Sequence, residues 1–445
     1  MTLTPDEAHI PRTGTADDTH PALWTSKPTL LSTPPLSKPW PWLLFAAVLA
    51  FMPVIFGSGA ALTVMNQMGI TIVFALSYNM LLGQGGMLSF GHAAYMGLGG
   101  FFCMHIMNGV ENDGWPIPLP LLPIFGGLFG AFFAFLVGSF QTRRAGTVFA
   151  MISLGVGELI AASSIIIVAF FGGEEGISGD RTYGPPVLGY DFAQQIEVYY
   201  LTAIWVVVSA VAMYAFSRTP MGRLANAVRD NEERAEFLGY SQQRVRWVSF
   251  TMSGFFAGVA GGLFAINFEI LTEENLNLVT SGTILLVTFL GGAGFFFGPV
   301  VGAVVFTLLQ TVMSLYTDLW QLYVGVLFVL VVMFVPTGLT GLFAMHGTPM
   351  RNRRLGVLAI PYGKVLPLAV LFVLALVAVC EMVFHLREGS GTMTLYWVSV
   401  DPHGWLPLTL AVAVGALALW GIVKLMPGVR EAWDVATLEA ADGPR

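Results

Sequence analysis

The chain has 445 residues, of which 55% are hydrophobic and only 11% charged, with a mean hydropathy of +0.73. That balance excludes a soluble domain and predicts an all-α, polytopic membrane protein, since about 20 apolar residues cross the hydrocarbon layer as one helix. The formal net charge of -7 says little about partners, because in such proteins the placement of Lys and Arg carries the information.

Residues 1–38 hold Pro5, Pro11, Pro21, Pro28, Pro34 and Pro35 among Thr, Ser and Asp, a composition that cannot bury enough apolar surface to fold. They are expected to form a disordered cytoplasmic tail. No apolar run begins near Met1, so the first span is expected to act as its own insertion signal. Apolar runs follow at about 40–57, 61–82, 87–107, 118–140, 147–171, 198–217, 248–268, 280–297, 299–317 and 320–336. These predict about ten core helices in a domain covering 39–345. Two more runs, at about 365–384 and 405–426, predict a C-terminal extension over 346–445.

Threading twelve crossings from a cytoplasmic start puts the tail, 141–146, 218–247, 337–364 and 427–445 on one side. Those segments, with Lys424 at the adjoining end of the last span, hold eighteen of the twenty Lys and Arg. Only Arg181 and Arg387 fall outside, which is the asymmetry that orientation by positive charge predicts. Both termini are therefore expected in the cytoplasm. The opposite face is acidic, with Glu111, Asp113, Glu174, Glu175, Asp180, Asp191, Glu197, Glu269, Glu273 and Glu274.

Between Leu82 and Gly91, LGQGGMLSFG, glycines together with Gln84 and Ser89 interrupt two otherwise clean spans. The stretch is either a tight hairpin or a broken helix dipping into the bilayer, and a broken helix would line a pathway. Small residues recur four apart at Gly126 and Gly130, at Gly254, Gly258 and Gly262, and at Gly294, Gly298 and Gly302. That spacing predicts faces where helix backbones approach closely. Ionisable residues within spans are few: His92, His105, Glu158 and Glu381. Glu158 should face protein or water, either bonded to a neighbouring helix or lining a solute path. His92 follows the Gly-rich break and reads as a packing or hydrogen-bonding residue. Cys103 and Cys380 lie in apolar segments and make no metal site by themselves.

No G-x-x-x-x-G-K-[ST], H-E-x-x-H, paired Cys-x-x-Cys or G-x-S-x-G occurs in the sequence, so no ATP site by that route, metal site, cofactor or catalytic residue is expected. The arginines sit at span boundaries, which gives nucleic-acid binding no support. What remains is the one long polar interior loop, 218–247. Met221–Val228 can form a first short helix there, and Asp230 or Asn231 can cap a second that runs to Leu238 and stops at Gly239, with Asp230 and Glu233 spaced as a capping box. Arg229, Asp230, Asn231, Glu232, Glu233, Arg234 and Glu236 beside Ala235, Phe237 and Leu238 make a mixed surface suited to a polar groove with a small apolar anchor.

Several strings together resemble one family. ALSYNMLLGQGGMLSFGHAAYMGLGGF (75–101), FGGEEGISG (171–179), MGRLANAVRDNEERAEFLGY (221–240) and FFAGVAGGLFA (255–265) are similar to the LivM-type permease subunit of branched-chain amino acid ABC transporters. The resemblance covers about 40–345. It implies a non-enzymatic subunit of an ATP-driven importer in the bacterial inner membrane, paired with a LivH-type permease, two cytoplasmic ABC ATPases and an extracytoplasmic solute-binding protein. It further implies that 221–240 carries the helix that couples to the ATPases. The general importer pattern E-A-A-x-x-x-G stands here as Glu233, Arg234, Ala235 and Gly239, with Arg234 in place of the first alanine. The same architecture could instead carry urea, short amides or small carboxylates, and a stand-alone channel or secondary transporter would leave the loop unexplained. The Pro-rich tail and 346–445 depart from the family.

Overall fold

A computed structural model describes residues 40–351, 355–388, 393–395, 398–400 and 404–438. The expected tail, and Arg353 and Arg354 of the basic break, lie outside the described residues. The first helices are α1 (Trp40–Ile55), α2 (Gly59–Asn79), α3 (His92–Asp113), α4 (Leu122–Gln141), α5 (Gly146–Ile166), α6 (Val168–Phe171) and α7 (Gln195–Arg218). They are followed by α8 (Pro220–Asp230), α9 (Glu232–Phe237), α10 (Gln242–Phe268), α11 (Leu278–Gly291), α12 (Gly298–Met313) and α13 (Trp320–Phe334). Last come α14 (Gly338–Arg351), α15 (Leu355–Glu388) and α16 (Trp405–Leu438). Among the described residues, strands form two short antiparallel pairs, β1 (Ile177–Ser178) with β2 (Ile270–Leu271), and β3 (Met393–Leu395) with β4 (Val398–Val400).

Among the described residues, seven helices are long and apolar enough to cross a membrane, or up to eight if α13 and α14, bent by 49° at their junction, form one span. Trp40–Ile55 and Gly298–Met313 are shorter apolar helices. The run expected at 147–171 divides at Ile167 into α5 and α6. The last two helices are longer than the runs that predicted them, starting at Leu355 and ending at Leu438.

α10 is the central helix, and its small residues explain how. Lipid tails are as apolar as leucine, so helices in a bilayer associate through close packing and hydrogen bonds more than through hydrophobic drive. A Cβ on Gly130 would lie 2.5 Å from the Gly254 carbonyl, and one on Gly262 would lie 2.9 Å from Pro123 Cα. One on Gly99 of α3 would lie 2.5 Å from Gly258 Cα, so α3, α4 and α10 meet backbone to backbone. The third glycine series is different. Gly302 packs on Gly291 and Gly298 on Gly292, but Gly294 lies in the loop between α11 and α12, where a side chain would meet nothing within 4 Å. Gly292, at φ 111°, ends α11 and takes Gly294 off any helical face.

Cys103, buried, donates to the Leu122 carbonyl, and His105 donates to the Phe170 carbonyl at 2.8 Å. The C-terminal pair α15 and α16 pack on each other and leave apolar faces open, including Leu366, Val370, Trp420 and Val423. A carboxylate ties them to the bundle: Glu381 accepts from Thr317 Oγ1 at 2.6 Å and Tyr323 OH at 2.8 Å.

Candidate functional site

The loop at 218–247 folds into two helices on the basic end of the bundle. Thr219 caps α8, its hydroxyl accepting from the Gly222 amide at 3.3 Å, and Pro220 fills the first turn where no amide is needed. Gly222, Ala225 and Val228 form the buried stripe of α8, with Ala225 and Val228 clustering with Ala235 of α9 and Val245 of α10. Asn231, not Asp230, caps α9, accepting from the Arg234 amide at 2.8 Å. The Asp230–Glu233 box is absent because Asp230 is still in α8, its carboxylate held by Arg229 at 2.9 Å. At the other end the Tyr240 amide reaches the Ala235 carbonyl at 3.2 Å and the Gly239 amide that of Glu236 at 2.8 Å, with Gly239 at φ 85°. This paired closure needs a left-handed residue, which glycine supplies.

Two contacts hold α9 against the bundle. The Arg246 guanidinium, buried at the start of α10, pairs with Glu232, and Gln242 Nε2 donates to the Glu232 carbonyl and the Glu236 carboxylate, both at 3.0 Å. Glu233 and Arg234 are exposed. Phe237 is 90% exposed and Leu238 71% exposed, so the segment ends in an apolar knob aimed at solvent.

The interrupted stretch at 82–91 is an irregular turn that reverses the chain, because Asn66 near the start of α2 and Asn108 near the end of α3 both bond residues at the acidic end. α2 runs into a π-helical turn, Met80–Gln84, and irregular backbone then leads to α3. Gly91 packs on Gly157, the twelfth residue of α5 and so about 17 Å along that membrane-length helix. Side chains satisfy the backbone there. Phe90 N–H donates to Ser153 Oγ at 2.9 Å, Ala93 N–H to Ser281 Oγ at 3.0 Å, and Tyr78 OH to the Ser89 carbonyl at 2.9 Å. Irregular backbone at such depth survives only with partners of this kind.

His92 is fully buried, stacked on Phe74 at 5.5 Å, with Nε2 3.0 Å from Ser77 Oγ. The Ser77 oxygen also lies 2.7 Å from the Phe74 carbonyl, so this hydroxyl links the ring to the backbone of α2. Ser89 is buried and Gln84 half-buried, each with a polar oxygen lacking a protein partner. Glu158 is not brought to this cluster. It is exposed on the outer face of α5, in a stripe with Val148, Met151, Gly155, Ala162 and Ile165 that no other described helix of the chain covers. No hydrogen bond joins Glu158 to another described helix of the chain.

The acidic end holds the site that sequence reasoning missed. Arg181 is 9% exposed. Its Nε donates to the Phe192 carbonyl at 2.9 Å, Nη1 to the Ile266 and Asn267 carbonyls at 3.3 and 3.4 Å, and Nη2 to Gln195 Oε1 at 3.2 Å. Its own amide donates to Glu269 Oε1 at 3.0 Å. Gln195 and Asn66 extend the network through Asn267 Oδ1, at 2.8 and 2.9 Å. The outer loop is thereby stapled to α2, α7 and α10. Beside it the Thr182 hydroxyl and amide hold the Asp180 carboxyl below its usual range. A cleft of about 510 Å³ opens there, lined by Glu111, Asp180, Arg181 and Glu269. The signal for this network was present: Arg181 is one of two basic residues on the acidic side.

Residues 60–336 match the sequence profile of the family described as branched-chain amino acid transport system, permease component. The chain belongs to that permease family. Among relatives, it is 28% identical over 293 residues to the high-affinity branched-chain amino acid transport system permease protein LivM of Salmonella typhimurium, covering 61% of this chain and 67% of the relative. Escherichia coli LivM is 27% identical over the same shares. The autoinducer 2 import system permease protein LsrC of Klebsiella pneumoniae is 30% identical over 148 residues, 32% of this chain and 43% of that one. No solved structure matches the chain. The family region runs from α2 through α13 and includes α8 and α9, the irregular turn at 82–91 and the Arg181 network, while α15 and α16 fall beyond it.

Proposed function

We propose that this chain is one of two permease subunits in an ATP-driven importer of branched-chain or related amino acids, seated in a bacterial inner membrane with both termini in the cytoplasm. Two cytoplasmic ATPases would grip α9, and an extracytoplasmic solute-binding protein would dock on the acidic end. The observation that carries the reading is the capped, ion-paired α9 presenting Phe237 and Leu238 to solvent in a permease-family chain that lacks a phosphate-binding loop. An exposed apolar knob on an otherwise charged surface is what a partner groove takes up.

The second permease would cover the open face of α5. A carboxylate facing lipid is costly, so Glu158 belongs on a surface closed by a partner or wetted by the solute path. Gln84, Ser89 and His92 would stand behind that path at the break. The family also contains relatives named for autoinducer 2 and guanosine, so the solute follows from the binding protein more than from this scaffold.

The test is uptake into proteoliposomes holding this chain, the second permease and both ATPases, supplied with binding protein and labelled leucine. ATP-dependent accumulation is expected. Uptake that ignores ATP, or failure of the ATPases to copurify, overturns the ATP-driven reading; accumulation of urea or a small carboxylate in place of leucine overturns the solute class.

A further inference from the structure

We infer that Arg229 is the positioning residue that joins the segment 218–247 to the irregular turn that runs from exposed Gly86 inward to Gly91 on α5, so that movement of α8 and α9 is delivered to the segment 83–91. The inference rests on the ATP-driven reading above and names the contact through which it would act. Arg229 lies in the last turn of α8 and touches two parts of the break at once. Its Nη1 donates to the Gly83 carbonyl in the π-helical turn. Its stem lies on Gly86, where a Cβ would stand 2.7 Å from Arg229 Cγ. The rest of the guanidinium is fixed by Asp230, whose Oδ1 accepts from Nε at 3.0 Å and Nη2 at 2.9 Å.

The receiving end is suited to the contact. Carbonyls in the last turn of a helix lack helical partners and carry the negative end of its dipole, so a guanidinium there is doubly favoured. The amides that follow bend back to other carbonyls, Gly85 to Leu81 and Gly86 to Leu82 at 3.1 Å, Met87 to Leu81 at 2.9 Å, leaving Gly83 to Arg229. Gly86 sits at φ 65°, a conformation a larger residue resists, and its missing side chain is the space the arginine stem fills. The turn is clasped from its other side, where Asn79 Nδ2 donates to the Phe295 carbonyl at 3.3 Å. From Gly86 five residues lead to Gly91 on α5 and then to His92. A shift of α8 therefore has a short route of irregular backbone into the middle of the bundle, where a helix would resist bending.

Arg229→Lys keeps the charge but removes the fork that holds Asp230 and Gly83 together. In the complete transporter it is expected to lower solute imported per ATP hydrolysed by about three- to tenfold, with ATPases still copurifying. Gly86→Ala, which displaces the same contact from the opposite side, is expected to do likewise, and both should speed amide hydrogen exchange at 83–91 while leaving α9 unchanged. An unchanged import-to-ATP ratio in Arg229→Lys overturns the inference, as does loss of ATPase copurification, which would make Arg229 a docking residue. Absence of ATP-driven uptake in the wild-type complex is a separate outcome and removes the functional reading itself.

Discussion

The two ends of the bundle are held in opposite ways. At the acidic end a buried arginine reaches carbonyls of its own loop and of α10 and the Gln195 side chain of α7, and pins a loop of otherwise irregular backbone. At the basic end the segment 218–247 is mostly helix, and α8 is seated by a small buried cluster, yet α9 is tied down only by Ala235, by the pair of Arg246 with the half-exposed Glu232 and by Gln242, and it finishes in exposed Phe237 and Leu238. A buried charge network makes a loop rigid because breaking it strands several polar groups at once, whereas surface pairs cost little to rearrange. The contrast suits one end to hold a fixed shape and the other to be pulled.

The largest expected effect breaks the rigid end. Arg181→Ala strands Gln195 Oε1 and several carbonyls, while the amide bond to Glu269 is kept, and should cost about 3 kcal/mol, seen as a lower melting temperature in detergent. Stability unchanged by that substitution would remove the contrast. Next comes the movable end. Phe237→Asp with Leu238→Asp should cut ATPase copurification about tenfold while the melting temperature stays where it is. A smaller effect is expected for Asn231→Ala, about 1 kcal/mol of lost capping, visible as faster amide exchange over Glu232–Phe237 and reversed by Asn231→Asp. The smallest concerns pH. Because the folded state holds the Asp180 carboxyl below its usual range, its contribution is present above that range and is lost as pH falls through it. Thr182→Val, which removes the hydroxyl, should flatten that acid-side slope in a melting series, with no change in ATPase binding.

Much of this was legible in the chain itself. Cap-forming Thr219 and Asn231, Pro220 and Gly239 set α8 and α9, while the choice between Asp230 and Asn231 as the second cap rests on the Arg229–Asp230 pair. The four-residue glycine spacing around Gly254, Gly258 and Gly262 pointed to close helix contact, and α10 packs on α3 and α4 there. The same spacing misled at Gly294, because spacing implies a shared face only where the helix continues, and α11 stops at Gly291.

Composition, positive-charge asymmetry and local capping chemistry were enough to predict a helical membrane protein, its strongest spans and the short helices of its long polar loop, since each depends on residues near in sequence or on bulk polarity. Which residues meet across the bundle was decided only in three dimensions. Arg229 and Gly83 are 146 positions apart, and Arg181 and Ile266 are 85 apart. The outward face of Glu158 likewise follows from where α5 packs and where it does not. A polar side chain in an apolar helix must find a partner, but which partner it finds depends on how the helices are arranged around it.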